Sequence, residues 1–424
     1  MQERPYWLES APKPASLTCA SLPQRTDVVV IGAGYTGLAA ARTLAQAGAA
    51  VTVVDRSPLG AGASARNAGF VLPGFRRDAR TLVAKLGAVR ARDLFDASRT
   101  AVRELAQLAT GDQPELPCDY RPSGHLVLAA KPKHFAELEK ESEVLSKVLR
   151  YETQLVPRQR LGEELGASVP YYGARVDPEA GCLNPAKLLW SLAGAAQRAG
   201  TTLVEEVEVQ SLRREAGRFM VRTSKGTLGA GDVVIATGGY GHPVLPALRR
   251  RLVPLASTLI ATAPLGQSVA RALIPRDRVV TDTRHRLTWF RITPDTRMLF
   301  GGWEHYRTAT KVERIRSLTE AMCAHFPRLL GTDVDYHWTG TVAMTLDRLP
   351  HAGERDAVHY ALGCNGQGVA LATYLGARIA DHIAGRGDLE PFRSLGFHAV
   401  PLNFGRPWFL PMLGAYYKLR DSMK

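Results

Sequence analysis

The chain has 424 residues, 45% apolar and 22% charged, ordinary globular usage that excludes a largely disordered protein. Its net charge of +14 comes mainly from scattered arginines; no nucleic-acid motif accompanies it, so it predicts a solvated basic surface or attraction to acidic substrates or anionic membranes. Length predicts two domains, and five scattered cysteines with no CxxC, HxxxH or His/Cys cluster predict no disulfide framework and no metal, in keeping with a reducing cytoplasm.

The opening MQERPYWLES is polar and carries a proline, which does not read as a secretory signal. Residues 27–54 are the most hydrophobic region, but Arg42, Gln46 and several glycines interrupt them, so no membrane span is expected there. They read instead as strand, turn, helix and strand. The β-branched run 28–31 suits a strand buried on both faces. Gly32, Gly34 and Gly37 then form GxGxxG where strand becomes helix. The first allows a tight turn, the second a close approach to a pyrophosphate, and the third close helix–strand packing. Ala39, Ala40 and Ala41 keep the helix thin, and a second strand, 51–54, ends at Asp55, placed to accept hydrogen bonds from a ribose hydroxyl. These residues predict a dinucleotide whose pyrophosphate rests on the helix N-terminus. Arg56 would suit a 2′-phosphate, but Asp55 would repel one.

The small, flexible GAGASARNAGF at 60–70 points to FAD, whose length needs several wrapping loops; Ser64, Arg66 and Asn67 offer donors. Helical spacing dominates residues 80–165, interrupted by a strand-like GHLVLAA at 124–130. Asn184 followed by Pro185 predicts a helix start, with Asn as N-cap and Pro in the first turn. Three strand-like runs follow, the last passing into Thr237, Gly238 and Gly239, a bend where backbone can lie against a cofactor. Residues 284–306 predict a hairpin around Pro294 and Asp295. Its two-residue period puts Trp289 and Arg291 on one face, Phe290 and Ile292 on the other. A helix is expected at about 312–329. Late in the chain GCNGQG, 363–368, repeats the pattern of strand, glycine turn and helix, and its free N–H groups are expected to face the far end of the same cofactor.

PYWLESAP, VVVIGAGYTGLAAARTLAQAGAAVTVVD, GASARNAGF, VVIATGGY, DRLPHAG and GCNGQGVALATYLG together extend along nearly the whole chain. On these segments the chain resembles the FAD-dependent amine and amino-acid oxidoreductases of the D-amino-acid oxidase superfamily, within it the γ-glutamylputrescine-oxidase-like members. The resemblance implies an α/β fold of two domains: a Rossmann-like FAD-binding domain (24–90, 151–245 and 338–390) and an inserted substrate domain on a mixed or antiparallel sheet with helices (91–150 and 246–337), followed by an aromatic, basic tail (391–424). It implies FAD held by Gly32, Gly34, Tyr35, Thr36, Gly37, Asp55, Arg56, Ala63, Ser64, Arg66, Asn67, Ala68, Gly69, Val207, Thr237, Gly238, Gly363, Asn365, Gly366, Gln367, Gly368 and Val369. It also implies oxidation of a C–N bond in an amine or amino acid by hydride transfer to the flavin, with hydrolysis of the imine and reoxidation by oxygen.

Sarcosine-oxidase-like relatives attach FAD through a cysteine where this chain has Ala343, so FAD is expected to be non-covalent. They also carry a lysine over the ring where this chain has Phe300, which leaves open a dehydrogenase passing electrons to a quinone or other acceptor. A carboxylate substrate calls for a guanidinium fork; Arg291 is the candidate, with Trp289 and Trp303 as walls. The tail carries Trp408, Phe409, Leu410, Met412, Leu413, Tyr416 and Tyr417 beside Lys418 and Arg420. It is expected to dock on its own protein or, alternatively, to make peripheral contact with the inner face of a membrane. A reading from another class, a non-catalytic flavin- or nucleic-acid-binding protein, rests on the basic charge alone.

Overall fold

The computed structural model describes every residue except 167–170, 242–243, 304–309, 402, 404–407 and 423–424, and only the backbone of 303, 418 and 420–422. Two eight-stranded sheets form the framework. In the first, Arg25–Ile31 lies at the centre, parallel to Gly226–Ile235 on one side and Val51–Val54 on the other. Thr202–Val204 extends it beyond Val51–Val54, and Val358–Leu362 with its antiparallel partner His351–Arg355 extends it beyond Gly226–Ile235. Parallel strands covered on both faces need apolar residues on both faces, and Val28, Val29, Val30 and Ile31 are all buried.

Helices Tyr35–Gln46 and Gly368–Ile383 pack against each other over this sheet. Their contact is closest at Gly376, where a Cβ would lie 2.2 Å from the Thr36 carbonyl oxygen. Helix Pro185–Arg198 joins them, started as expected by Asn184, whose Oδ1 accepts from the backbone N–H groups of Ala186 and Lys187.

The second sheet runs in the order Val334–Met344, Val253–Thr262, Met298–Trp303, Thr288–Ile292, Val279–Asp282, His125–Leu128, Gly173–Asp177, Gln154–Pro157. The hairpin forms in the register Phe290↔Phe300, and the turn closes with Thr293 N–H donating to the Arg297 carbonyl at 2.9 Å. One face of the sheet buries the stacked Phe290 and Phe300 (centroids 5.5 Å apart) with Met322 and Phe326, under helix Lys311–His325. The other face packs on the nucleotide unit through Leu259, Leu299 and Trp338.

This topology redistributes the expected domain boundaries. Gln154–Pro157 and Gly173–Asp177, within the segment expected for the FAD domain, pair in the second sheet, and Val334–Met344 crosses the expected boundary at 338. Helix Ala88–Ala109, expected with the substrate domain, packs on Gly368–Ile383 in the core of the nucleotide unit. The pairings are made between strands far apart in the chain, which local spacing does not reveal. Among the described residues no helix is long and apolar enough to cross a membrane.

Candidate active site

Two glycine loops, 331 positions apart, wall one cavity of about 260 Å³. The first begins at Gly32, whose φ of +109° suits glycine and whose Cβ would lie 2.7 Å from the Ala236 carbonyl oxygen. Gly37 lies behind the loop, where a Cβ would lie 1.9 Å from the Gly32 carbonyl. The acidic side chain that ends the second strand holds the loop: Asp55 Oδ2 accepts from Ala33 N–H at 2.8 Å and Oδ1 from Ser57 N–H at 2.9 Å. Ser64 Oγ accepts from Tyr35 N–H at 3.1 Å, so the 60–70 segment closes over the helix N-terminus. The Tyr35 hydroxyl donates to the Ser64 and Pro185 carbonyls, and burial raises its pKa above the usual tyrosine value.

The second loop is locked by Asn365, at a left-handed φ of 55°. Its Oδ1 accepts from Thr345 N–H at 2.8 Å and Oγ1 at 3.2 Å, and its Nδ2 donates to the Gly363 carbonyl. That network leaves the backbone of Gly363, Gly366 and Gly368 along the cavity wall. The Cys364 thiol is pushed up by burial to about 12 and a Cβ on Gly368 would lie 3.0 Å from its own Cβ, so Cys364 is a small packed residue and not a thiolate.

Of the expected cofactor residues, Gly32, Gly34, Tyr35, Thr36, Asp55, Arg56, Ala63, Ser64, Asn67, Val207, Thr237, Gly238, Gly363, Asn365, Gly366, Gly368 and Val369 line this cavity. Gly37, Arg66, Ala68, Gly69 and Gln367 do not. Arg66 turns away, donating to the Ala61 and Thr339 carbonyls, and Asn67 spends its amide on the turn itself. Tyr240, Thr341 and Val342 line the cavity without having been singled out for it, because they reach it only through the packing of the two sheets, and Ala343 lies beside them in the wall.

A larger cavity of about 790 Å³ lies between the nucleotide unit and the second sheet. The two chambers meet at consecutive residues: Ala343 and Gly366 line the smaller, Met344 and Gln367 the larger. Gln367 thus stands at the junction, and its buried Oε1 has no hydrogen-bond partner. Across the sheet the larger cavity carries a buried polar group that sequence gave no sign of. Arg175 pairs in bidentate fashion with Asp177 at 3.0 and 3.3 Å, Asp177 Oδ2 lies 3.3 Å from His125 Nδ1, and His125 Nε2 lies 2.8 Å from Thr281 Oγ1. Burial alone would raise the Asp177 pKa, yet Arg175 and His125 hold it below the ordinary carboxylate value. The four residues come from three strands distant in sequence, so no motif spacing joins them.

The C-terminal helix Leu410–Ser422 closes this cavity with Leu410, Leu413 and Tyr417. Tyr417 stacks on His285 at 5.2 Å, and its hydroxyl accepts from Arg348 at 3.3 Å. Phe409 also lines the cavity, while Trp408, Met412 and Tyr416 are exposed. The side chains of Lys418 and Arg420 lie outside the described residues.

Arg291 lines neither cavity. It is fully buried, its guanidinium 4.9 Å from the Trp7 ring and donating to the Leu183 carbonyl at 2.9 Å, and burial lowers its pKa. Trp289 lies against the opposite strand, where a Cβ on Gly301 would meet its indole nitrogen at 2.2 Å, and lines neither cavity. The Trp303 side chain lies outside the described residues. Phe300 points into the core on the sheet face away from the nucleotide unit, so its identity carries no information against reaction with oxygen.

Residues 27–382 match the family model of FAD-dependent oxidoreductases. The chain belongs to this family. It is 34% identical to γ-glutamylputrescine oxidoreductase of Escherichia coli (strain K12), covering 99% of this chain and 98% of the relative. It is 30% identical to the probable oxidoreductase OrdL of Haemophilus influenzae, covering 95% and 92%. Among solved structures, L-proline dehydrogenase from P. horikoshii superposes with a TM-score of 0.73 at 21% identity, over 88% of this chain and 96% of that one. Glycine oxidase from Geobacillus kaustophilus gives 0.72 at 20%, over 89% and 99%. The chain is an FAD-dependent oxidoreductase, and FAD is its cofactor.

The residues present fit that cofactor. Close backbone contacts leave no room for side chains at Gly32 and Gly37, a helix N-terminus faces the cavity, and an unsatisfied Gln367 oxygen marks the passage into the second chamber. Bound there, FAD would supply the hydride acceptor.

Proposed function

We propose that this oxidoreductase acts on an elongated amine whose far end carries charge, a γ-glutamylated diamine being the chemical type, and that oxygen reoxidises the flavin. The observation that carries this reading is the 790 Å³ cavity, a volume in the range of drug-sized ligands and far beyond what glycine or sarcosine needs. Its lining also spans the sheet, from Met344 on the first strand to His125 on the sixth. Five strand spacings amount to about 24 Å. A site that long accommodates a flavin ring at the Met344 end and an extended substrate beyond it.

The far end presents both signs of charge: Asp177 and Arg175, Asp282 and Arg284, and Glu141. A γ-glutamyl group brings an α-ammonium and an α-carboxylate, complementary to such a set. Arg291, fixed between Trp7 and the Leu183 carbonyl, supports no short carboxylate-clamping mode. In this reading Asp177, held by His125 and Arg175, recognises the distal end, while the backbone of the GCNGQG loop positions the cofactor end. The experiment is anaerobic reduction of the purified yellow protein, read at the flavin band, with γ-glutamylputrescine, putrescine, sarcosine, glycine and proline. Bleaching by the glutamylated diamine at least tenfold faster than by the others is expected; fastest reduction by a small amino acid overturns the reading. Peroxide release in air tests the acceptor, and reduction of a quinone without peroxide would reject oxygen.

A further inference from the structure

Outside both cavities, the edge of the nucleotide sheet holds a second cluster with its own chemistry. Glu354 and His359 are directly opposed in the antiparallel pair His351–Arg355 and Val358–Leu362, so their side chains share one face. His382, in the last turn of helix Gly368–Ile383, comes over that face, with its ring centroid 6.0 Å from that of His359. One ligand atom from each of the three lies within 4.8 Å of the others.

His359 is 7% exposed, its Nδ1 is buried without a hydrogen-bond partner, and its Nε2 lies 3.5 Å from Asp232 Oδ1. A carboxylate near one ring nitrogen favours the proton there and a lone pair on the other, the arrangement of a metal-binding histidine with its outer carboxylate. A buried imidazole nitrogen with no partner costs free energy unless something occupies its lone pair. Glu354 and Asp232 place two carboxylates beside the imidazoles on a chain of net +14, which locally favours a cation.

We propose that Glu354, His359 and His382 bind one divalent transition-metal ion of the zinc type, with the Asp232 carboxylate behind His359 and a water completing the tetrahedron. Two imidazoles and one carboxylate are a borderline N/O donor set suited to Zn²⁺ or Ni²⁺ and unsuited to Ca²⁺ or Mg²⁺. The ligand atoms draw together from their present spacing, since about 2.0–2.2 Å to the metal sets ligand separations near 3.5 Å. The half-buried His382 and exposed Glu354 supply that movement.

The position gives the ion a consequence. His359 lies in the strand that leads into the GCNGQG loop and His382 in the helix that leaves it. A metal held by both ties together the two flanks of the loop that walls the cofactor cavity, so metal and FAD stabilise the same conformation. Metal binding here does not depend on which amine is oxidised.

The test is isothermal titration of untagged, chelator-treated holoenzyme with ZnCl₂ alone, alongside thermal unfolding and the rate of flavin loss in mild denaturant. One equivalent bound at micromolar Kd or tighter, a rise in Tm and slower flavin loss are expected. His382→Ala and Glu354→Gln, both at positions accessible to solvent, are each expected to weaken binding at least tenfold while keeping bound flavin and metal-free Tm. Absence of a one-equivalent site in the parent overturns the proposal, as does Zn²⁺ binding unchanged in both variants.

Discussion

His125 and Asp177, on adjacent strands of the second sheet, face each other directly in register, with Nδ1 3.3 Å from Oδ2 and both side chains buried against the large cavity. The carboxylate is also paired with Arg175, so removing its charge leaves a buried guanidinium partly uncompensated. Asp177→Asn is therefore expected to destabilise the protein by about 3–5 kcal/mol. The pH dependence has a definite sign. Because the folded-state pKa of Asp177 is lowered, its contribution is full above the ordinary carboxylate value and is lost as pH falls through the lowered native one. Chemical denaturation at pH 7 and near pH 3.5 should show stability falling less in Asp177→Asn than in the parent.

His125 tests the recognition role of the same group. If it holds Asp177 in place to meet the distal end of an extended amine, His125→Ala should raise KM by about tenfold, through the loss of that positioning, with a smaller change in kcat. Steady-state kinetics with the glutamylated diamine, set against an unsubstituted diamine, makes the measurement. An equal loss for both substrates would place His125 at the reacting end instead.

Asn365 should matter for the cofactor without touching the reaction. Its side chain satisfies Thr345 N–H and holds a left-handed turn, and alanine does neither. Asn365→Ala is expected to cost about 1–3 kcal/mol, seen as a lower Tm and at least fivefold weaker FAD retention by fluorescence of released flavin.

The contact between the two helices that carry the loops is equally specific. A methyl group at Gly376 would lie 2.2 Å from the Thr36 carbonyl, within the first glycine loop's helix. Gly376→Ala must push the helices apart; about 1–3 kcal/mol of destabilisation and reduced flavin content in the purified protein are expected. Unchanged flavin content would show that the two helices separate without disturbing the loops.

With Ala343 in the cavity wall and the Cys364 thiol pushed up by burial, neither position offers a thiolate to join the flavin. Acid precipitation should leave all of the yellow colour in the supernatant, and the peptide mass should be that of the unmodified chain.

The local signals decided much of this protein on their own. The β-branched run before Gly32, the GxGxxG spacing and Asp55 specify a dinucleotide unit because every requirement is met within about 30 residues of chain. GCNGQG likewise declares a cradle, since alternating glycines before a helix permit backbone conformations that other residues resist. What neither stretch contains is its partner. Only the parallel pairing of Gly226–Ile235 with both Arg25–Ile31 and Val358–Leu362 brings the two loops to one cavity. The alternation that put Arg291 and Trp289 on one face was right about direction. It had no information about what lay above that face, and Trp7, Leu183 and Gly301 occupy it. The polar end of the large cavity was illegible for the same reason. His125, Asp177 and Thr281 meet through non-local strand pairing, and the chain between them carries no periodicity that foretells the register.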